Sequence, residues 1–348
     1  MELPDEIYSR IAYFAQHTDL LSLARVCKQS QPAAEKRLYR TLYLRDTGSA
    51  YLACQALVAH NGVRGAYVQR FWFCPEIRRP RPFPSEFWQA IQVALTTMDH
   101  LESIVLNDST GLNSWILSPG RFRFQLNDAN FNLKWDENMV AFLATQNELC
   151  SLGTLDSMDG EPLCGLPAGA LQNLNIFSGP LLVLMELVHS PLTHVQIHLD
   201  EDTSALLETA LTDLGKLKKK LRSLNIVGIP SRYSLETLDI VSRSTFHSNL
   251  RHLGLLPLPW GDRTSFRLCL TRLHSLENIE VDVSRWDPPP SDPFQRMIAA
   301  ELRVYCHQLL RVVFVFAQQE HLWCRQNDEW TKMYPGHYQQ TDNLWRNA

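Results

Sequence analysis

Apolar residues in the first forty-four positions recur at helical spacing. Leu3, Ile7, Ile11 and Phe14 fall four, four and three apart, and Leu20, Leu23, Ala24 and Cys27 form a similar series, so each set lines one face of a short helix. Pro4 suits a first helical turn, and Thr18 or Asp19 suits an N-cap. A third helix is predicted to begin near Ser30-Gln31-Pro32 and to carry Ala34 and Leu38. A bundle of about forty residues has a marginal core, which predicts apolar surface left over for a partner.

Further along, a six-residue pattern, apolar-x-x-apolar-x-apolar, keeps returning. It starts at Val68, Leu101, Leu171, Leu192, Leu221, Leu250, Leu276 and Leu309, with a weaker copy at Leu149, and successive starts lie 21 to 48 residues apart. Alternation at the last three positions marks a short strand with one buried face. Helical stretches are predicted in between: Tyr51 to His60, Ser85 to Met98, Glu137 to Gln146, Leu181 to His189, Thr203 to Leu217, Ser234 to Phe246 and Pro293 to His307. The long gap between Leu101 and Leu149 holds Arg121 to Leu126, whose alternation predicts an extra strand. Pro75 to Pro84, Leu155 to Gly169 and Asp287 to Pro293 read as loops.

The N-terminal segment resembles the F-box family. The residues carrying this are Leu3-Pro4 with Glu6-Ile7, then Ile11, Asp19-Leu20-Leu21, Val26-Cys27-Lys28 and Leu38-Tyr39-Arg40-Thr41-Leu42. The resemblance covers about the first eighth of the chain and is specific, because several separate elements agree in order and spacing. It implies docking on a Skp-type adaptor, and through it on a cullin-RING ubiquitin ligase, with Leu3, Pro4, Ile7, Ile11, Leu20, Leu23, Val26 and Cys27 as contacts. One departure is that many F-boxes carry an aromatic after the Val-Cys-Lys, whereas Gln29-Ser30-Gln31-Pro32 follows here. Different packing is expected at the end of the second helix.

The later pattern resembles leucine-rich repeats in period. The Asn or Cys that such repeats place after each strand is not consistently present, Gly179 and Gly228 standing near that position in two copies. The resemblance implies an α/β fold: a three-helix F-box, then an irregular right-handed solenoid with parallel strands inside and helices outside, similar to F-box proteins abundant in fungi. The expected boundaries are 1–46 for the F-box, 47–317 for the solenoid and 318–348 for a C-terminal cap or tail. Leu322, Trp323, Trp330, Tyr334, Tyr338, Leu344 and Trp345 make that tail too aromatic for a free end and favour a cap.

Composition changes this picture little. Hydrophobic residues make up 45% and charged residues 20%, which excludes wholesale disorder. A net charge of -4 argues against nucleic acid or an acidic membrane surface as the main partner. No apolar run reaches the length of a membrane span, and Met1 is followed at once by acidic, helix-starting residues, so neither a span nor a secretory leader is expected. The cytoplasm or nucleus is the expected location, with reduced, mostly buried thiols at the eight cysteines.

Catalytic and metal signatures are not expected. His194 and His198 lie about 13 Å apart along a predicted strand, too far to share a metal. His321 and Cys324 have helical spacing but lack a second pair of ligands. The cluster Lys216, Lys218, Lys219, Lys220 and Arg222 ends a helix and complements its dipole, or else receives an acidic partner. Arg78, Arg79 and Arg81 read as an exposed proline-rich loop. The resulting expectation is a non-enzymatic adaptor without cofactor or metal, recruiting a protein substrate. Its alternative is an interaction scaffold whose F-box-like bundle only caps the solenoid.

Overall fold

A computed structural model describes residues 4–75, 82–118, 120–155, 163–200, 202–216, 220–261, 263–316, 319–334 and 344–348. The chain divides into two compact units, Met1–Asn173 and Leu174–Ala348.

The first unit opens with α1 (Asp5–Phe14), α2 (His17–Val26) and α3 (Ser30–Tyr39). Five strands follow: β1 (Thr41–Leu44), β2 (Arg70–Phe73), β3 (Ser103–Asn107), β4 (Asp128–Asn132) and β5 (Ser151–Thr154). Helices α4 (Thr47–Val58), α5 (Ser85–Leu95) and α6 (Glu137–Leu143) lie between them in sequence. Neighbouring strands pair in parallel and in chain order, with Thr41, Arg70, Ser103, Asp128 and Ser151 in one register row. One face of this open sheet is an apolar ladder of Phe71, Ile104, Ala129 and Leu152, then of Phe73, Leu106 and Phe131, all buried. Aromatic side chains from the helices pack on it, Phe87 and Trp88 against Phe73 at 5.2 and 5.9 Å and Phe142 against Phe131 at 6.1 Å. The Asp46 and Asp136 side chains accept backbone N–H groups at the starts of α4 and α6, closing donors that each helix start leaves open.

The second unit contains β6 (Ile176–Pro180), α7 (Leu181–Glu186), β7 (His194–His198), α8 (Leu207–Leu214), β8 (Ser223–Val227), α9 (Ser234–Arg243), β9 (His252–Pro257), α10 (Arg263–Leu270), β10 (Asn278–Asp282), α11 (Asp292–Tyr305) and β11 (Arg311–Phe316). The strands pair in parallel with Ile176, His194, Ser223, His252, Asn278 and Arg311 in one row. Their apolar ladder is Phe177, Val195, Leu224, Leu253, Ile279 and Val312, each buried. Gly228 follows β8 at φ +86, and a Cβ there would lie 2.7 Å from the Leu199 carbonyl oxygen, so only glycine fits.

A backbone device repeats in both units. At each parallel step one carbonyl accepts two consecutive N–H groups of the next strand: Arg40 receives Gln69 and Arg70, Gln69 receives Glu102 and Ser103, and Arg222 receives Arg251 and His252. The accepting carbonyl belongs to the second position of the six-residue pattern. The strand starts are thus tied by backbone groups alone.

This device also corrects the phasing. Leu171 has φ +53 and precedes the strand; the working copy starts at Leu174, and Asn175 supplies the carbonyl. The strand expected at Arg121 to Leu126 is absent. Phe122 and Phe124 there stack on each other at 5.3 Å and pack on Phe142, while the strand begins two residues later at Asp128. Strand β1 and helix α10 escaped the sequence reading altogether, as did the two strands beyond β11.

Beyond β11 the direction reverses. Strands β12 (Gln319–Gln326) and β13 (Glu329–Met333) add an antiparallel hairpin to the edge of β11. Its turn residues Asn327 and Asp328 both have positive φ, as a tight hairpin of this hand requires. Trp323 Nε1 donates to Gln295 Oε1 at 2.9 Å, and Lys332 Nζ meets Asp292 Oδ1 at 2.7 Å, tying the hairpin to α11. His321 and Cys324 thus sit on a strand, and their spacing of three is not a helical turn. Trp323, Trp330 and Trp345 are buried, Tyr334 is exposed, and Tyr338 lies outside the described residues.

Candidate functional site

The helical bundle has a small core. Ala12, Leu20 and Ala34 are its buried apolar residues, with Ala15, Leu23, Ala24, Ala33 and Leu38 partly covered around them. Small side chains bring the helices close but bury little area. Much larger apolar groups remain outside: Ile7 at 41% exposure, Ile11 at 44% and Phe14 at 73%. These three lie at i, i+4 and i+7 on α1 and form a continuous stripe. Leu21 and Val26 add exposed apolar surface from α2.

The predicted contact residues divide accordingly. Pro4, Ile7, Ile11 and Val26 are exposed, Leu23 and Cys27 are half-buried, and Leu3 lies outside the described residues. Leu20 is only 2% exposed: the apolar face of α2 that carries it is turned toward Ala12 and Ala34, so it holds the bundle together and offers no surface. Phe14 and Leu21 are exposed as well and were not among the predicted contacts. Their signal was available, since Phe14 continues the α1 series and Leu21 adjoins a residue the core already claims.

In the stretch 29–32 that follows α2, Ser30 is the buried residue. Its hydroxyl donates to the Leu23 carbonyl at 2.8 Å, and the Cys27 thiol donates to Ser30 Oγ at 3.2 Å. The Ser30 side chain and backbone N–H hold the Cys27 thiol below its usual pKa. Polar contacts therefore close the α2–α3 connection, the different packing expected where the family's aromatic is absent.

The bundle is fastened to the following chain by Glu35 and Arg64, whose Oε1 and Nη2 are 2.7 Å apart, and by Arg40 Nε donating to Gln69 Oε1 at 2.6 Å. The Arg64 guanidinium lies over the Tyr39 ring, holds the Glu35 carboxyl below its ordinary range and is itself raised in turn. Beside this seam runs a groove of about 330 Å³ lined by Ser9, Tyr13, Lys36, Arg37 and Tyr67.

Residues 1–45 match the F-box-like family. An F-box-like domain thus coincides with the bundle and with β1. F-box domains generally belong to non-enzymatic adaptor subunits and typically bind Skp-type adaptors. No curated protein matches the chain.

The other sequence candidates come together less. Lys216 pairs with Asp213 at 2.7 Å, Lys220 and Arg222 are exposed, and Lys218 and Lys219 lie outside the described residues. Arg78, Arg79 and Arg81 lie outside them too. Among the described residues no group of three or more His, Cys, Asp or Glu is placed to hold a metal ion, and no helix is long and apolar enough to cross a membrane. All eight cysteines are free thiols, with burial pushing Cys54 and Cys306 up to about 12.

Proposed function

We propose that this chain is a substrate-recruiting subunit of an SCF-type (Skp-cullin-RING) ubiquitin ligase. The observation that carries the reading is the exposed Ile7, Ile11 and Phe14 stripe on a bundle that matches the F-box-like family. Pro4, Leu23, Val26 and Cys27 are the other contacts the family motif implies that the bundle leaves at least partly exposed. The bundle core is too small to hold these side chains, and a Skp-type adaptor covering them removes the apolar area from water.

In this reading residues 1–46 dock on the adaptor, and residues 47–317 form an irregular leucine-rich-repeat-like solenoid, of the type common in fungal F-box proteins, that binds a protein target. Residues 318–348 cap it. The work is done by proximity: holding a target beside a charged ubiquitin-conjugating enzyme raises its effective concentration. Such a subunit acts in the cytoplasm or nucleus. Co-purification tests it, with the wild-type chain retaining a Skp-type adaptor and the Ile11→Asp/Phe14→Asp double variant losing it while still folded.

A second reading treats the bundle as a cap only. It is favoured by the direct run from α3 into β1 and by the Glu35–Arg64 and Arg40–Gln69 contacts, which make the bundle continuous with the sheet. A soluble wild-type chain that captures no adaptor would select it.

A further inference from the structure

The strands of the second unit have a second face, opposite the apolar ladder. On it β8 presents Ser223 and Asn225, β9 presents His252 and Gly254, and β10 presents Asn278 and Glu280. The register sets Ser223, His252 and Asn278 side by side, with Asn225 next to Gly254 one step along. All five side chains are buried, none more than 8% exposed. Even so, Ser223 Oγ, Asn225 Oδ1, both ring nitrogens of His252 and Asn278 Oδ1 have no hydrogen-bond partner. Buried polar groups are nearly always paired, so a cluster of orphans points to something the site is built to receive.

The orphans share a chemistry. Asn225 Nδ2 donates to Gln196 Oε1 at 2.9 Å, which leaves its carbonyl oxygen as the open atom. Asn278 likewise presents a carbonyl oxygen, and a neutral imidazole at His252 adds a lone pair. Glu280 Oε1 lies 3.7 Å from His252 Nε2 and brings negative charge to the same place. Gly254 makes room for these side chains to converge: a Cβ there would stand 2.2 Å from Asn225 Oδ1 and 2.9 Å from His252 Nε2. The nest therefore offers three open acceptors, the Asn225 and Asn278 carbonyl oxygens and one His252 ring nitrogen, next to a carboxylate. A planar cation with several N–H donors fits it better than a point-charge ammonium.

The chain's own C-terminal turn, Trp345–Asn347, lies against β7, β8 and β9. Trp345 is buried, and His194 Nε2 is 2.9 Å from the Ala348 carbonyl oxygen, which pins the turn to this face. We propose that the β8–β10 face is a recognition site for an arginine side chain of a partner polypeptide, received by Asn225, His252, Asn278 and Glu280 and covered by the displaceable Trp345–Asn347 turn. This deepens the reading of the second unit as target-binding. It is measured without any adaptor, so its failure leaves adaptor docking standing.

The test is titration calorimetry on the full chain and its Trp345→Ala variant with an acetylated, amidated Ser-Gly-Arg-Gly-Ser peptide and its lysine and citrulline counterparts. The arginine peptide should bind Trp345→Ala saturably and about tenfold more tightly than the parent chain, because no lid has to be displaced. In the Trp345→Ala background, Glu280→Gln and Asn278→Leu should each weaken binding by about tenfold. Asn278→Leu should also leave the thermal midpoint unchanged or raise it, since it removes an unpaired buried polar group. Absence of saturable binding, equal binding of the citrulline or lysine peptide, or an Asn278→Leu chain that melts lower or fails to fold would overturn the assignment.

Discussion

The helical bundle and the strand face of the second unit depart from ordinary burial in opposite directions. In the bundle large apolar side chains stay in water: Ile7, Ile11 and Phe14 stand outside a core built mainly from alanines. On the β8–β10 face polar atoms stay out of water, with Asn225, His252 and Asn278 buried and incompletely paired. Each arrangement costs free energy in the isolated chain, and each would be relieved by the partner proposed for it: an apolar one for the bundle, a donor-rich one for the strands. The apolar ladder of each unit shows no such mismatch and does the ordinary work of holding the fold.

That contrast can be broken at its base by emptying a ladder. Leu253→Ala and Phe131→Ala each remove a fully buried side chain, and each should destabilise its own unit by about 3–5 kcal/mol in denaturant unfolding. The same loss at the exposed Phe14, by Phe14→Ala, should stay within about 0.5 kcal/mol. If Phe14→Ala proved as costly as the ladder variants, the stripe would be core and not surface.

The bundle side is sharpened by charge. Ile11→Asp with Phe14→Asp should weaken binding to a Skp-type adaptor by about a hundredfold or more while leaving the melting curve of the free chain in place. Leu20→Asp should behave differently, unfolding the bundle itself, because it buries a carboxylate between Ala12 and Ala34. Circular dichroism beside a pull-down separates the two.

On the strand side the handle is pH. Burial drives the pKa of His252 from 6.5 down to about 3, with the neighbouring His194 adding to the effect, and also lowers His194 and His198. For His194 a further push comes from Arg222, opposed by the Ala348 carbonyl. A depressed histidine binds its proton less readily folded than unfolded. Stability of the second unit should therefore be complete above about pH 6.5 and decline by a few kcal/mol as pH falls toward about 3, at about 1.4 kcal/mol per unit of pKa difference. Denaturant midpoints at a series of pH values report this, and His252→Leu should flatten the slope. A midpoint independent of pH in the wild-type chain would mean that His252 is not buried neutral.

The smallest effect belongs to local capping, which both units share with any helical protein. Asp46→Ala removes the side chain that accepts from Ser49 N and should cost about 1 kcal/mol without affecting adaptor binding. A larger effect on binding than on stability would tie α4 to the docking surface.

How far each feature could be read from residues follows from the range of the interaction behind it. Helices α4, α5, α6, α7, α8, α9 and α11 and most strands were legible because their apolar spacing is a local property, set by the 3.6 and 2.0 periods of the backbone. The F-box-like segment was legible for the same reason, as an ordered set of short motifs. Phase was not. Leu171 satisfies the pattern in full and Leu174 only in part, with Gly179 at the sixth position, yet the pairing of Asn175 with the next strand chose Leu174. Arg121 to Leu126 alternates as a strand would, yet its aromatic residues gained more by stacking on Phe142 than by pairing. Leu20 and Leu21 are adjacent and chemically alike; the direction of a helix face, settled by what packs against it, sent one inward and the other outward. The nest at Asn225, His252 and Asn278 is assembled from residues about 27 apart, brought together by strand register alone. Local periodicity thus determined which segments become helix or strand, while the tertiary structure decided phase, facing and the convergence of distant polar groups, because those depend on contacts that a single stretch of chain does not contain.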